Sequence, residues 1–166
     1  MRLRCTTVAS PVGDLTLAAR DDRLCLLHFG ADEAAVRLTL SRWYRGVSVD
    51  THPDPAGAAA ALARYFDGDL GALNAIDVEL NGTPFQRRVW DALRRIPRGE
   101  TRTYAQIARE VGAPAAVRAV GSACGANPVA LAVPCHRAVR TDGGLGGYAW
   151  GLPRKKLLLE LEKRRK

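Results

Sequence analysis

Net charge changes sign once along this chain, at Asn81-Gly82, and that break constrains the fold more than any other feature. Residues 1–81 carry 8 Lys and Arg against 11 Asp and Glu, a net −3, whereas residues 82–166 carry 17 against 6, a net +11, within a chain total of +8. An Asn-Gly dipeptide is also a turn former. Both observations place a boundary at the same point, giving an acidic domain over 1–81 and a basic one over 82–166. With 166 residues, 47% of them apolar, the chain suits one or two small domains and is not a disordered or fibrous protein. It has no run of about 18 uncharged apolar residues. The opening MRLRCTTVAS lacks the apolar core of a secretion signal, so a cytoplasmic home is expected. The four cysteines, Cys5, Cys25, Cys124 and Cys135, show no C-x-x-C pairing and read as free thiols.

In the first domain, residues 2–8, 14–19 and 23–29 read as short strands. Ser10-Pro11-Val12-Gly13 and Arg20-Asp21-Asp22 punctuate them as turns, the pattern of a small antiparallel meander. Helices are expected over about 32–44 and 56–66, both covering one sheet face, followed by a possible strand at Ile76–Leu80. Cys5, Cys25 and His28 offer only three metal ligands, and Cys25 and His28 alternate to opposite faces of one strand, so no metal site is expected.

In the second domain, Thr83-Pro84 gives an N-cap and a first-turn proline. Phe85, Val89, Trp90, Leu93 and Ile96 then recur at helical spacing. Thr103–Val111 and Ala115–Cys124, joined through Gly112-Ala113-Pro114, form a helix-turn-helix pattern. A basic excess confined to this half favours a polyanionic partner, nucleic acid above all, because phosphate neutralisation supplies most sequence-independent affinity. Part of that excess, the terminal KRRK, also reads as a solvated helix end. Asn127-Pro128 opens an extended apolar run, Val129–Val133, which Pro134 ends. A last helix spans about 153–163.

Cys135 and His136 follow that proline directly. A thiol becomes a useful nucleophile near neutral pH when a base or a cation stands beside it. Adjacent side chains diverge in regular structure, so this pair needs the turn that Pro134 favours, or a bridging water.

Pro134-Cys135-His136-Arg137, set after Asn127-Pro128 and an apolar run and accompanied by Tyr104, Arg118 and Gly143–Tyr148, resembles the O6-alkylguanine-DNA alkyltransferase family. The resemblance is strongest over 83–166 and extends more loosely through the N-terminal part. It implies an α+β fold: a ribonuclease H-like cap with a small antiparallel sheet and helices, then a mainly helical, winged helix-turn-helix-like domain. It also implies irreversible transfer of an alkyl group from O6-methylguanine, and O4-methylthymine as a further substrate, in double-stranded DNA to Cys135, once per molecule, without a cofactor. The protein would act as a monomer that can bind DNA cooperatively. The family's replaced-cysteine relatives are non-catalytic damage sensors, and other members are joined to transcription regulators. Cys135 itself argues against the first role, and no cysteine-rich metal domain supports the second.

The resemblance assigns roles residue by residue. His136 is the base for Cys135, a glutamate on the last helix orients the histidine, Tyr104 turns the nucleotide and protonates guanine N3, and Asn127 braces the turn. Arg118 enters the base stack, with Ala116, Ala119, Gly121 and Thr141 also at the DNA. Tyr148, Ala149, Trp150, Val133 and Leu145 surround the flipped base. Two glutamates compete for the orienting role. At about 100° per residue, the mean direction of Leu157, Leu158, Leu159 and Leu161 lies about 75° from Glu162 and about 125° from Glu160. Glu162 is the choice, and Glu160 is left as a surface charge.

Overall fold

The computed structural model describes residues 2–164. The chain divides into two compact units: residues up to Asn81 together with Pro128–Ala132, and Gly82–Asn127 together with Val133 onward.

The first unit begins with β1 (Arg2–Val8), β2 (Leu15–Arg20) and β3 (Arg23–Phe29), a meander with antiparallel pairing through Thr6–Leu17 and Leu17–Leu27. Helix α1 (Glu33–Trp43) starts where the Asp32 carboxylate accepts the amides of Ala34 and Ala35, satisfying two otherwise orphaned donors. Its Val36 and Leu40, with Tyr44, pack on Leu3, Ala18, Cys25 and Leu26. The sheet gains a fourth strand that the sequence pattern did not suggest. In β4 (Ser48–Thr51) polar residues alternate with little burial, and the strand forms by pairing parallel to β1, Arg2 with Ser48 through Cys5 with Thr51. The sheet is therefore mixed, in the order β3-β2-β1-β4. Nor is it covered on one face only: successive residues Leu15–Ala19 of β2 are all buried, as a strand protected on both sides must be. A short 3-10 turn, Pro55–Gly57, lies against β1, β2 and β3 and leads into α2 (Ala58–Phe66), which buries Ala61, Leu62 and Tyr65. Of the strand expected at 76–80, only a single parallel bridge forms, Val78 with Leu24.

In the second unit, α3 (Pro84–Arg94) and α4 (Tyr104–Glu110) each open with a reciprocal capping box, Thr83 with Gln86 and Thr103 with Gln106. Helix α5 (Val117–Gly125) completes the helix-turn-helix. The Trp90 indole, fully buried, donates to the Ala123 carbonyl at 2.8 Å and ties α3 to α5. Gly82 leaves room for that ring, since a Cβ there would come within 2.6 Å of it. Two-residue strands β5 (Arg102–Thr103) and β6 (Ala138–Val139) pair in parallel, and α6 (Leu152–Arg164) closes the unit. The last two residues of the KRRK end lie outside the described residues.

The apolar run at 129–133 is not an extended strand. Leu131 takes a left-handed conformation (φ 68°), and Ala132 N donates to Ala130 O at 2.8 Å, so the run folds into a turn. Its first residues belong with the N-terminal sheet, where Leu27 N donates to Pro128 O at 3.0 Å and Ala130 N to Leu27 O at 3.1 Å. Five apolar residues in succession give no period of two, and here each is buried whichever way it points.

Candidate active site

After Pro134 the chain turns through one 3-10 turn, Cys135–Arg137. The turn buries three functional side chains in sequence: Cys135 (5% exposed), His136 (0%) and Arg137 (4%). Asn127 Nδ2 donates to Val133 O at 2.8 Å, and Cys135 N donates to the same carbonyl at 2.8 Å, so one oxygen joins the end of α5 to the turn.

Glu162, 1% exposed on α6, lies among these residues. Its Oε2 meets His136 Nε2 at 2.9 Å, and Arg137 clamps it in a fork, Nε to Oε1 and Nη2 to Oε2, both at 2.9 Å. The third guanidinium nitrogen, Nη1, donates to Ile96 O at 2.9 Å. Burial pushes the Glu162 pKa up, but His136 and Arg137 more than offset this and hold it below the usual carboxylate range. Burial pushes the His136 imidazole down, and Glu162 only partly restores it. A neutral imidazole beside a carboxylate carries its proton on Nε2 and leaves Nδ1 as the lone-pair nitrogen. Among the described residues nothing hydrogen-bonds to that Nδ1.

Cys135 lines a cavity of about 910 Å³ together with Tyr104, Arg118, Cys124, Leu145, Tyr148 and Ala149. Burial pushes its thiol up, while Asn127 and Lys155 pull it back down. The Tyr104 hydroxyl, pushed up to about 12 chiefly by burial, stays protonated at neutral pH. It lies 3.4 Å from Gly147 O. Gly146, at φ 74°, passes so close beneath that ring that a Cβ would sit 2.7 Å from Tyr104 Cε2 and Oη. Burial also pushes the Tyr148 phenol up.

The structure sorts the expected residues. Tyr104, Arg118, Gly121, Cys135, Leu145, Tyr148 and Ala149 share the cavity. His136, Glu162 and Asn127 stand behind it. Val133 and Trp150 are not part of its wall: Val133 is fully buried and contributes its carbonyl, and the Trp150 carbonyl accepts from Arg154 at 3.3 Å. Ala119 and Thr141 are exposed, and Ala116 is the residue that precedes α5. Glu160 is exposed.

Two domain descriptions match the chain: "6-O-methylguanine DNA methyltransferase, ribonuclease-like domain" over residues 3–80 and the "DNA binding domain" of the same family over 84–164. A methylated-DNA–protein-cysteine methyltransferase of Mycobacterium bovis is 45% identical over 96% of this chain and 92% of its own length. The chain belongs to this methyltransferase family. A Salmonella typhimurium member is 39% identical over 98% of the chain and 96% of its own length. The crystal structure of Mycobacterium tuberculosis OGT in complex with DNA superposes with a TM-score of 0.81 at 42% identity, covering 99% of this chain and 94% of that one.

Within this methyltransferase fold, one residue escaped the sequence reading altogether. Lys155 is fully buried, and its ammonium donates to the carbonyls of Ala138 (2.6 Å), Leu145 and Gly147 (3.1 Å) while lying 5.7 Å from the centre of the Tyr104 ring. It pins the loop that forms one cavity wall. The signal was present as spacing. Lys155, Leu158 and Glu162 fall at i, i+3 and i+7 on α6 and are its buried face, whereas Leu157 is 43% exposed. The leucine direction that picks out Glu162 gives no sign of Lys155, because a lysine reads as solvent-facing.

Proposed function

We propose that this protein repairs double-stranded DNA by moving an alkyl group from O6 of guanine onto Cys135 Sγ, where it stays as a thioether, so that each molecule reacts once. O4-methylthymine is a second substrate of the same type. The observation that carries this reading is that Cys135 lines a cavity while the adjacent His136 is locked by the Arg137-backed Glu162. A base inside a duplex cannot reach a recessed thiol, so the nucleotide must be flipped out. Arg118 and the small residues Ala119 and Gly121 on α5, with Thr141, face the DNA in this reading, and the basic charge of the unit supplies phosphate affinity.

The resting thiol is kept protonated by burial. When the base is seated, His136 takes the thiol proton, and the Glu162 carboxylate stabilises the imidazolium that results. The Sγ electron pair forms the bond to the alkyl carbon, the carbon–O6 bond breaks, and its electron pair passes to guanine. Tyr104 gives its proton to guanine N3, and the proton taken from Cys135 replaces the one Tyr104 has lost, so that Cys135 gives up one proton and the released base gains one. No cofactor enters. No helix among the described residues is long and apolar enough to cross a membrane. In this reading the protein acts as a monomer in the cytoplasm. Without its thiol the site would be a damage sensor; with Cys135 present it transfers.

The test is the intact mass of the protein after incubation with duplex DNA carrying one O6-methylguanine, beside a Cys135→Ser variant. The expected result is a gain of one methyl group in the parent alone. Binding without any gain would replace transfer by sensing.

A further inference from the structure

We propose that the outer face of α3 is a second DNA-binding surface, which grips the phosphate backbone of a second duplex while α5 holds the first, so that the protein passes directly from one DNA segment to another; this rests on the DNA-facing role given to α5 above. Helix α5, VRAVGSACG, carries one cation, Arg118. Helix α3 and the turn after it carry five, Arg87, Arg88, Arg94, Arg95 and Arg98, against one acid, Asp91. The charge is therefore concentrated away from the helix that meets the damaged site.

Packing fixes which way these arginines point. Helix α3 lies against both α4 and α5, and it buries Val89, Trp90, Ala92 and Leu93, with the Trp90 indole bonded to Ala123 of α5. At about 100° per residue, Arg87, Arg88, Arg94 and Arg95 all lie about 120–140° from the mean direction of those four. They face away from α5, so a duplex seated on α5 does not meet them. Arg88 stands over the Phe85 ring at 5.7 Å, and Arg95 pairs with Glu110 at 3.0 Å, the two side chains 59% and 41% exposed. A pair so exposed exchanges readily for another anion. Arg87 and Arg98 are exposed, and their side chains make no ion pair or hydrogen bond among the described residues. Arg98 stands at the corner of a turn closed by Glu100 N to Pro97 O at 3.1 Å. From Arg87 to Arg94 the row is about 10 Å long, and a duplex offers a phosphate about every 3.4 Å of axis on each strand, so one strand meets several guanidinium groups together. A second copy of this chain is the poorer partner, since its acidic half carries only −3 over 81 residues.

Release of the protein from a short, labelled, undamaged duplex is to be timed at rising concentrations of an unlabelled duplex, for the parent, the double variant Arg87→Gln with Arg98→Gln, and Arg118→Ala. In the parent the release rate should climb with the unlabelled duplex, because the second segment binds before the first departs. The double variant should lose about tenfold of that dependence, as fits two lost charge-assisted contacts. It should still hold the short duplex, and take methyl from O6-methylguanine within it, as the parent does. A parent whose release rate ignores the unlabelled duplex would overturn the proposal. So would a double variant that binds the short duplex as weakly as Arg118→Ala, which would put these arginines on the first duplex. Polyglutamate that speeds release as well as the duplex does would make the face a surface for any polyanion and overturn it too. An Arg118→Ala protein that holds the short duplex as tightly as the parent would instead bring down the role of α5 beneath it.

Discussion

Each of the two units buries one cysteine and one histidine close together in sequence, and only one of these pairs forms part of a site. In the N-terminal sheet, Cys25 (3% exposed) and His28 (8%) lie on β3; in the C-terminal unit, Cys135 (5%) and His136 (0%) share the 3-10 turn. Burial acts alike on both. It pushes the thiols up, Cys25 to about 11, and the imidazoles down, His28 to about 4. The partners differ. Cys25 Sγ points at Ala18 O (3.4 Å) within an apolar cluster. Cys135 lines a cavity, has Asn127 and Lys155 drawing its thiol down, and adjoins an imidazole held by a clamped carboxylate. Residue type and burial therefore do not make a nucleophile. Placed charge does.

The sharpest way to break this contrast is to remove that charge without changing its shape. In Glu162→Gln the imidazolium loses its counter-charge, and the rate of alkyl transfer should fall at least a hundredfold, the usual scale for general base catalysis. Arg137 is then left buried without its carboxylate, at a cost of about 3–5 kcal/mol. His28→Phe should leave the transfer rate unchanged. Single-turnover rates and urea unfolding of the two variants check both halves. A Glu162→Gln variant as fast as the parent would remove the distinction between the pairs.

The next effect concerns acid. A histidine whose folded pKa is lowered is protonated more readily when unfolded, so its contribution to stability is full above pH 6.5 and is lost as pH falls toward about 4. For His28 the whole loss amounts to roughly 3 kcal/mol. His136 acts with the same sign, and Glu162, held low, adds a loss that begins as pH falls into the usual carboxylate range. Unfolding free energy measured from pH 7 to pH 4 should therefore decline, and His28→Phe should flatten the decline. An equally steep curve in that variant would assign the acid sensitivity elsewhere.

The smallest effect separates neighbouring glycines in the cavity wall. Gly146→Ala meets the Tyr104 ring and a positive φ, and should cost about 1–2 kcal/mol in stability and slow transfer about tenfold. Gly147→Ala has open space and should change stability by less than about 0.5 kcal/mol. Equal behaviour of the two would mean that the Tyr104 contact does not hold the wall.

Much of the fold was legible because local chemistry and tertiary structure agree. Thr83-Pro84 does cap a helix, the meander has strands at the expected places, and Glu162 is the buried glutamate of the last helix. Where sequence and structure part, pairing or desolvation overrides local preference. Strand β4 exists because β1 offers it an edge, not because Ser-Val-Asp-Thr favours a strand. The run at 129–133 bends at Leu131 since apolar residues are buried in any conformation.

By itself the sequence determined the division of charge at Asn81-Gly82, the capped helices, and the Pro134-Cys135-His136-Arg137 turn that sets a thiol beside an imidazole. Only the tertiary structure decided what surrounds that turn. Asn127, Tyr104 and Ile96 come from distant parts of the chain, and Lys155 and Glu162 from the far helix. Charge and hydrogen bonding act through space over a few ångströms, and no rule of local sequence carries that information.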